Sequence, residues 1–272
     1  MKKWIYFVLI GIFTAVFLVS GWLLLDYYRK DQKAEQAYDD LSAMVSDARQ
    51  EVQATAPSQP EEETDPEPVL VEVTNPETGE IRRVLPEYAE LYTMNPDVVG
   101  WIKIPGTKVD YPVMQTPDRT DYYLKRNFEK KRSAAGSIYV REQCDVFAPS
   151  DNLTIYGHRM NSGSMFGQLM NYKKVEFWAE NRSIYFDTLT HRGTYEIFAV
   201  FKISASVNNG FQYHLFVDMD RESFTEFVTQ CKERDLYNTG ITPQYGDKLI
   251  TLSTCEKGSS NTRFVVVARE VK

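Results

Sequence analysis

From Trp4 to Leu25 the chain reads WIYFVLIGIFTAVFLVSGWLLL, without one charged side chain. At about 1.5 Å per helical residue this run is roughly 33 Å long, enough for a hydrocarbon core of about 30 Å. Trp4, Tyr6, Trp22, Tyr27 and Tyr28 lie near its ends, where interfacial aromatics belong. The run is longer than the apolar core of about 7–15 residues in a cleaved signal peptide, so an uncleaved anchor is expected. Residues 31–54 contain no Pro or Gly and many helix formers, and predict a polar helix. Residues 55–80 are rich in Pro and Glu and predict an extended, self-repelling spacer. PEYAELYTMN (86–95) predicts a short helix with Pro86 in its first turn.

Beyond Val98 the pattern changes to short runs rich in β-branched and aromatic residues, separated by Gly, Pro, Asn or Asp. VVGWIKI, KVDYPVM, GSIYV, NLTIYG, SIYFDT, TYEIFAVFKI, DKLITLST and RFVVVARE are the eight. An open sheet of such strands would expose its edges, so a closed or nearly closed β-barrel is expected. THRGTY (190–195) predicts a hairpin turn that uses Gly193. Two helical stretches interrupt the strands, at 164–178 and 220–236. In the second, Phe224, Phe227, Val228 and Cys231 fall on one helical face behind an Asp220 N-cap. The resulting division is residues 1–30 as anchor with a short tail, 31–84 as helix and acidic linker, and 85–272 as a mainly β domain with added helices.

Charge alters this picture little. The chain carries a net charge of −7, and residues 57–80 hold eight acidic side chains with no Lys or Arg. No basic face or arm stands out, so no nucleic-acid partner is expected. Lys2 and Lys3 precede the apolar run, and Arg29, Lys30 and Lys33 follow it. That balance leaves the orientation open.

Three cysteines, at 144, 231 and 255, are not a disulfide framework, and no C-x-x-C pair suggests a metal. G-x-S-x-G, H-E-x-x-H, phosphate-loop and dinucleotide signatures are absent; no metal or cofactor is expected. Cys231 reads as a small buried hydrophobe on its helix, and Cys144 as incidental. Cys255 ends an apolar run and precedes a Gly/Ser/Asn loop. It is either a buried strand-end thiol or a displayed nucleophile, which needs an electropositive, partly open setting. His158 ends NLTIYGH in the same strand-end manner; Cys and His are the minimum set for thiol acyl transfer. Arg263 opens the strand after the cysteine loop, either as a surface residue or as a fixed charge for an oxyanion. His191 reads as a surface turn residue, and His214 as a loop or wall residue.

TLSTC followed at +8 by Arg, with YGH about a hundred residues upstream, resembles the sortase signature T-L-x-T-C … R with its upstream histidine. The resemblance covers roughly residues 86–272. It implies an eight-stranded sortase-type barrel, a membrane anchor in Gram-positive bacteria and an extracytoplasmic active site. NPDVVGWIKIPGTKVDYPVMQ, DYYLKRNF, AGSIYV and IYGHRM, and a helix between the sixth and seventh strands, are similar to class B sortases. The resemblance makes Cys255 the nucleophile, His158 the acid/base and Arg263 the oxyanion or substrate-positioning group. It places Leu124, Ser253 and Glu256 in the substrate groove. Lys257 departs from relatives that carry an Asp two places after the Cys.

The implied reaction cleaves an NPxT-like C-terminal sorting signal on a secreted protein and transfers that protein to a cell-wall amine, or assembles pili. A membrane-tethered binding or scaffold protein and a hydrolytic cysteine peptidase are the rival readings. Residues 75–79 read NPETG, which is either a Pro/Gly turn or a tethered pseudosubstrate.

Overall fold

The structure, a computed structural model, describes residues 2–55, 68–206, 211–255 and 261–271, and for Lys2, Lys3, Tyr27, Lys30, Asp31, Thr55 and Cys255 the backbone alone. It divides into two units, 1–40 and 41–272. One helix, α1 (Lys2–Thr55), covers the apolar run and the polar stretch after it without a break. Its segment Trp4–Asp26 is long and apolar enough to cross a membrane.

Within the second unit, the end of α1 buries Leu41 and Val45, four residues apart and so on one helical face. Ser42 donates to Asp110 at 3.1 Å. Arg49 donates to the hydroxyl of Tyr88 and to Asp187 at 2.5 Å. Tyr88 also donates to Asp187 at 2.7 Å, and Arg192 reaches the buried Glu87 at 2.7 Å. Charges taken from water here are paired, as burial demands.

Residues 71–84, expected within the linker and as far as residue 80 within its extended spacer, instead form a hairpin of β1 (Val71–Thr74) and β2 (Ile81–Val84). Val71, Val73, Ile81 and Val84 suit a pleated surface, a signal hidden by the acidic residues around them. NPETG is the turn between the strands. The Asn75 side chain accepts from the amides of Glu77 at 2.8 Å and Thr78 at 3.1 Å, and Gly79 takes a φ of 75°.

A 3-10 turn at Pro86–Tyr88 and α2 (Ala89–Met94) lead into the barrel. Its strands are β3 (Val98–Lys103), β4 (Asp110–Met114), β5 (Ile138–Val140), β6 (Asn152–Tyr156), β7 (Ser183–Thr188), β8 (Arg192–Ser204), β9 (Leu249–Cys255) and β10 (Thr262–Glu270). All eight expected runs are present. The closed order is β10-β8-β7-β3-β4-β5-β6-β9. Pairs are antiparallel except β4 with β5 and β6 with β9. Closure pairs every edge and encloses an apolar interior that includes Ile102, Ile155, Phe186, Leu252, Phe264 and Val266.

Gly193 lies inside β8, paired with Phe186, and not in the turn, which falls between β7 and β8. A Cβ there would stand 2.7 Å from the Phe186 carbonyl oxygen, so the position requires the missing side chain. The expected helix at 164–178 is a 3-10 turn, Gly167–Lys173, then α3 (Val175–Glu180), divided at Lys174, which is extended. α4 (Arg221–Arg234) lies between the sixth and seventh barrel strands. Its N-cap Asp220 accepts from the Ser223 amide at 2.8 Å. Its apolar face packs Phe224, Phe227, Val228 and Cys231 against Phe198, Phe201, Val265 and Val267. Cys144 and Cys231 are both free and buried, and burial pushes both thiols up in pKa, which makes them poor thiolates.

Candidate active site

Two parallel strands bring the strand-end residues together. β6 and β9 run in register, with Tyr156 opposite Ser253. One residue on, the Gly157 amide donates to the Ser253 carbonyl at 3.2 Å. Parallel strands deliver their C-terminal ends to the same edge, so His158 and Cys255 emerge side by side from chain segments about a hundred residues apart. On the other flank of β9, β10 pairs antiparallel and sets Arg263 directly opposite Cys255.

A cavity of about 430 Å³ opens at this edge, lined in part by Leu124, His158, Ser253 and Arg263. Four of the six site residues expected from sequence therefore share one wall system. Cys255 contributes its backbone position; its side chain, and Glu256 and Lys257, lie outside the described residues.

Leu124 sits in a 3-10 turn, Tyr122–Lys125, in the loop between β4 and β5. Its carbonyl oxygen lies 2.7 Å from His158 Nε2. A carbonyl can only accept, so Nε2 carries the hydrogen and Nδ1 is the nitrogen left to exchange a proton. Ser253 is buried, and its hydroxyl meets that of Tyr213 at 2.7 Å. His191, by contrast, is exposed and pairs with Glu270 at 2.8 Å, away from the cavity.

The sequence assigns several further wall residues no catalytic or substrate-binding role. Tyr213 and His214 come from a 3-10 turn, Tyr213–Leu215, before α4. Arg141, just past β5, donates to the backbone carbonyl of His214 and so ties that turn to the barrel rim. Burial, and then the charges of Arg141 and Arg263, hold the His214 imidazole below its ordinary pKa. Tyr139 and Tyr156 are pushed up, chiefly by burial; Tyr139 donates to Asp121 at 2.7 Å. Tyr139 and Tyr156 fall within AGSIYV and IYGHRM, whereas Arg141, Tyr213 and His214 occupy no motif, and only the folded chain brings them to the cavity. His214, half-buried, is the loop or wall residue expected from the sequence. An imidazole and a guanidinium that line one open cavity, with the backbone of Cys255 opposite Arg263 at its edge, can support thiol acyl transfer.

Comparison with known proteins supports the same chemistry. A family model for the sortase domain matches residues 102–271. Sortase B of Staphylococcus aureus (strain NCTC 8325 / PS 47) is 31% identical over 192 residues, which cover 70% of this chain and 76% of that protein. Sortase B of Listeria monocytogenes serovar 1/2a is 31% identical over 196 residues, covering 71% and 76%. Sortase B from B. anthracis in complex with AAEK1 superposes with a TM-score of 0.68 at 27% identity, over 90% of this chain and 99% of that one. A Staphylococcus aureus sortase B–substrate complex gives 0.71 at 25% identity, over 90% and 99%. Motif, barrel and relatives agree, and this chain belongs to the sortase family of cysteine transpeptidases, within class B.

Proposed function

We propose that Cys255, His158 and Arg263 carry out the transpeptidation at this cavity. The register of Arg263 against Cys255, with His158 and Arg263 both lining the cavity, carries this reading. The Cys255 thiolate attacks the carbonyl carbon of a threonine in an NPxT-like sorting signal. Arg263 stabilises the oxyanion of the tetrahedral intermediate. As the C–N bond breaks, His158 Nδ1 donates a proton to the departing amine, and a thioester remains. An acceptor amine then attacks the thioester; its proton passes to His158, and the thiolate leaves. Directly opposed residues of an antiparallel ladder share a face of the sheet, which supports placing the cationic group beside the nucleophile.

Leu124 and Ser253, which line the cavity, contact the signal peptide, and Glu256 is assigned to the same role from the motif alone. The donor is a secreted protein bearing a C-terminal sorting signal, and the acceptor is an amine of a cell-wall precursor. Residues 1–30 form a single-pass anchor through the bilayer at 4–25, with the catalytic barrel of 85–272 on the extracytoplasmic side. The apolar helix at Trp4–Asp26 supports the anchor.

The test is cleavage of a cognate NPxT peptide by the full chain and by Cys255→Ala, with and without an added amine. The variant should cleave nothing, and the amine should divert product from free acid to the amide. Cleavage retained by Cys255→Ala ends the assignment.

A further inference from the structure

We infer that Arg119, Tyr122 and Arg126 form an anion-binding rim beside the cavity, whose ligand is a carboxylate-bearing stretch of the polypeptide substrate next to its sorting signal. The inference rests on the transpeptidase reading and adds a determinant of substrate choice to it.

Both guanidiniums stack on one ring. The Arg119 carbon lies 4.0 Å from the Tyr122 centroid and that of Arg126 4.2 Å, so the two are at most about 8 Å apart. Like charges at that separation repel, and an anion at the ring edge, within reach of both forks, relieves the repulsion. Arg126 is further held by a bond from Nη1 to the Tyr122 carbonyl at 3.3 Å. Arg119 forms ion pairs with Asp97 at 3.7 Å and Asp118 at 3.6 Å, which offset part of its charge but are longer than hydrogen bonds. A guanidinium already restrained by an aromatic face loses little freedom when a carboxylate binds its fork.

Residues 118–133 hold six Lys and Arg against three acidic side chains, and Asp97 and Glu77 reach Arg119 and Lys130 from other segments, so the patch stays slightly cationic in a chain whose net charge is −7. Arg126 is bridged through its backbone to the exposed Arg132, and Lys125 is exposed beside it. Tyr122 stands in the same 3-10 turn as Leu124, which lines the cavity and holds His158. A peptide threaded through the cavity therefore continues past this rim, where acidic flanking residues meet complementary charge.

The experiment uses the full chain in detergent micelles with labelled NPxT peptides flanked on either side by three Glu, three Gln or three Lys. Cleavage gives kcat/KM, and fluorescence anisotropy gives binding. The Glu-flanked peptide should exceed the Lys-flanked one by about three- to tenfold at low salt, mainly through KM, and the gap should close at high salt. Arg119→Gln/Arg126→Gln should erase the preference while the Gln-flanked peptide is processed as by the parent. Equal handling of Glu and Lys flanks, or a preference that survives the double substitution, overturns the rim. An absent flank preference, with rates changed through the two arginines when phosphatidylglycerol is added, assigns the patch to the bilayer and also overturns it. Loss of cleavage for every peptide counts against the transpeptidase reading, and binding then judges the rim alone.

Discussion

The amide of Gly157 donates to the carbonyl of Ser253 at 3.2 Å, and this bond joins the ends of two parallel strands. It fixes the step from Tyr156 to His158 against the step from Ser253 to Cys255. Gly157 is pressed into the barrel wall: an added Cβ would stand 2.5 Å from Ile138 and 2.7 Å from the Phe166 ring. Gly157→Ala should cost about 1–3 kcal/mol of stability by overpacking. It should also lower kcat by at least about tenfold, since small displacements of reacting groups are expensive. Denaturant titration together with peptide cleavage checks both; an unchanged kcat would show that the strand-end step does not set the geometry.

Tyr213 and Ser253 share a 2.7 Å hydrogen bond while both are buried. Tyr213→Phe leaves the serine hydroxyl without this partner, at a cost of about 1–2 kcal/mol. Tyr213→Phe/Ser253→Ala should cost less than the sum of the single changes, because the orphaned group is removed as well. Thermal denaturation of the four proteins closes the cycle.

His214 is held below its ordinary value of 6.5 by burial and by Arg141 and Arg263. The folded protein therefore binds this proton less well than the unfolded chain does. Stability from the neutral ring is full above pH 6.5 and is lost as the pH falls below it toward the folded value. Half exposure keeps the effect small. His214→Gln should flatten the acid side of a stability profile measured between pH 7.5 and 5, and an unaltered profile would remove His214 as the cause.

Arg49 ties the end of α1 to Asp187 and Tyr88. Its side chain is 32% exposed, so Arg49→Met should cost about 2 kcal/mol, between the values for open and buried pairs. Burial already pushes the Asp187 carboxyl above its ordinary 3.8, with Tyr88 and Arg49 pulling it down. A raised carboxyl stabilises the fold below 3.8 and loses that contribution as the pH rises through its folded value. Removing Arg49 raises it further, so the deficit of the variant should be larger at pH 7 than at pH 4. Urea titrations at the two pH values test the difference.

Local pattern was enough for much of the architecture. Eight runs of β-branched and aromatic residues became β3–β10, because alternation and turn residues are properties of neighbouring positions. The spacing of Phe224, Phe227, Val228 and Cys231 was enough for α4, for the same reason. The hairpin at 71–84 was obscured because its apolar positions are interleaved with Glu and Arg, and average composition outweighs four residues. The candidate site was legible only where residues fall in a motif: His158, Arg263, Leu124 and Ser253, which meet at the cavity.

Tertiary structure alone decided the strand order, the parallel pairing of β6 with β9, and the arrival of Tyr213, His214 and Arg141 at the same opening. Those outcomes depend on barrel closure and on loops crossing between distant segments. No periodicity along the chain encodes which ends will meet, whereas a strand or helix face is written in residues that are already neighbours.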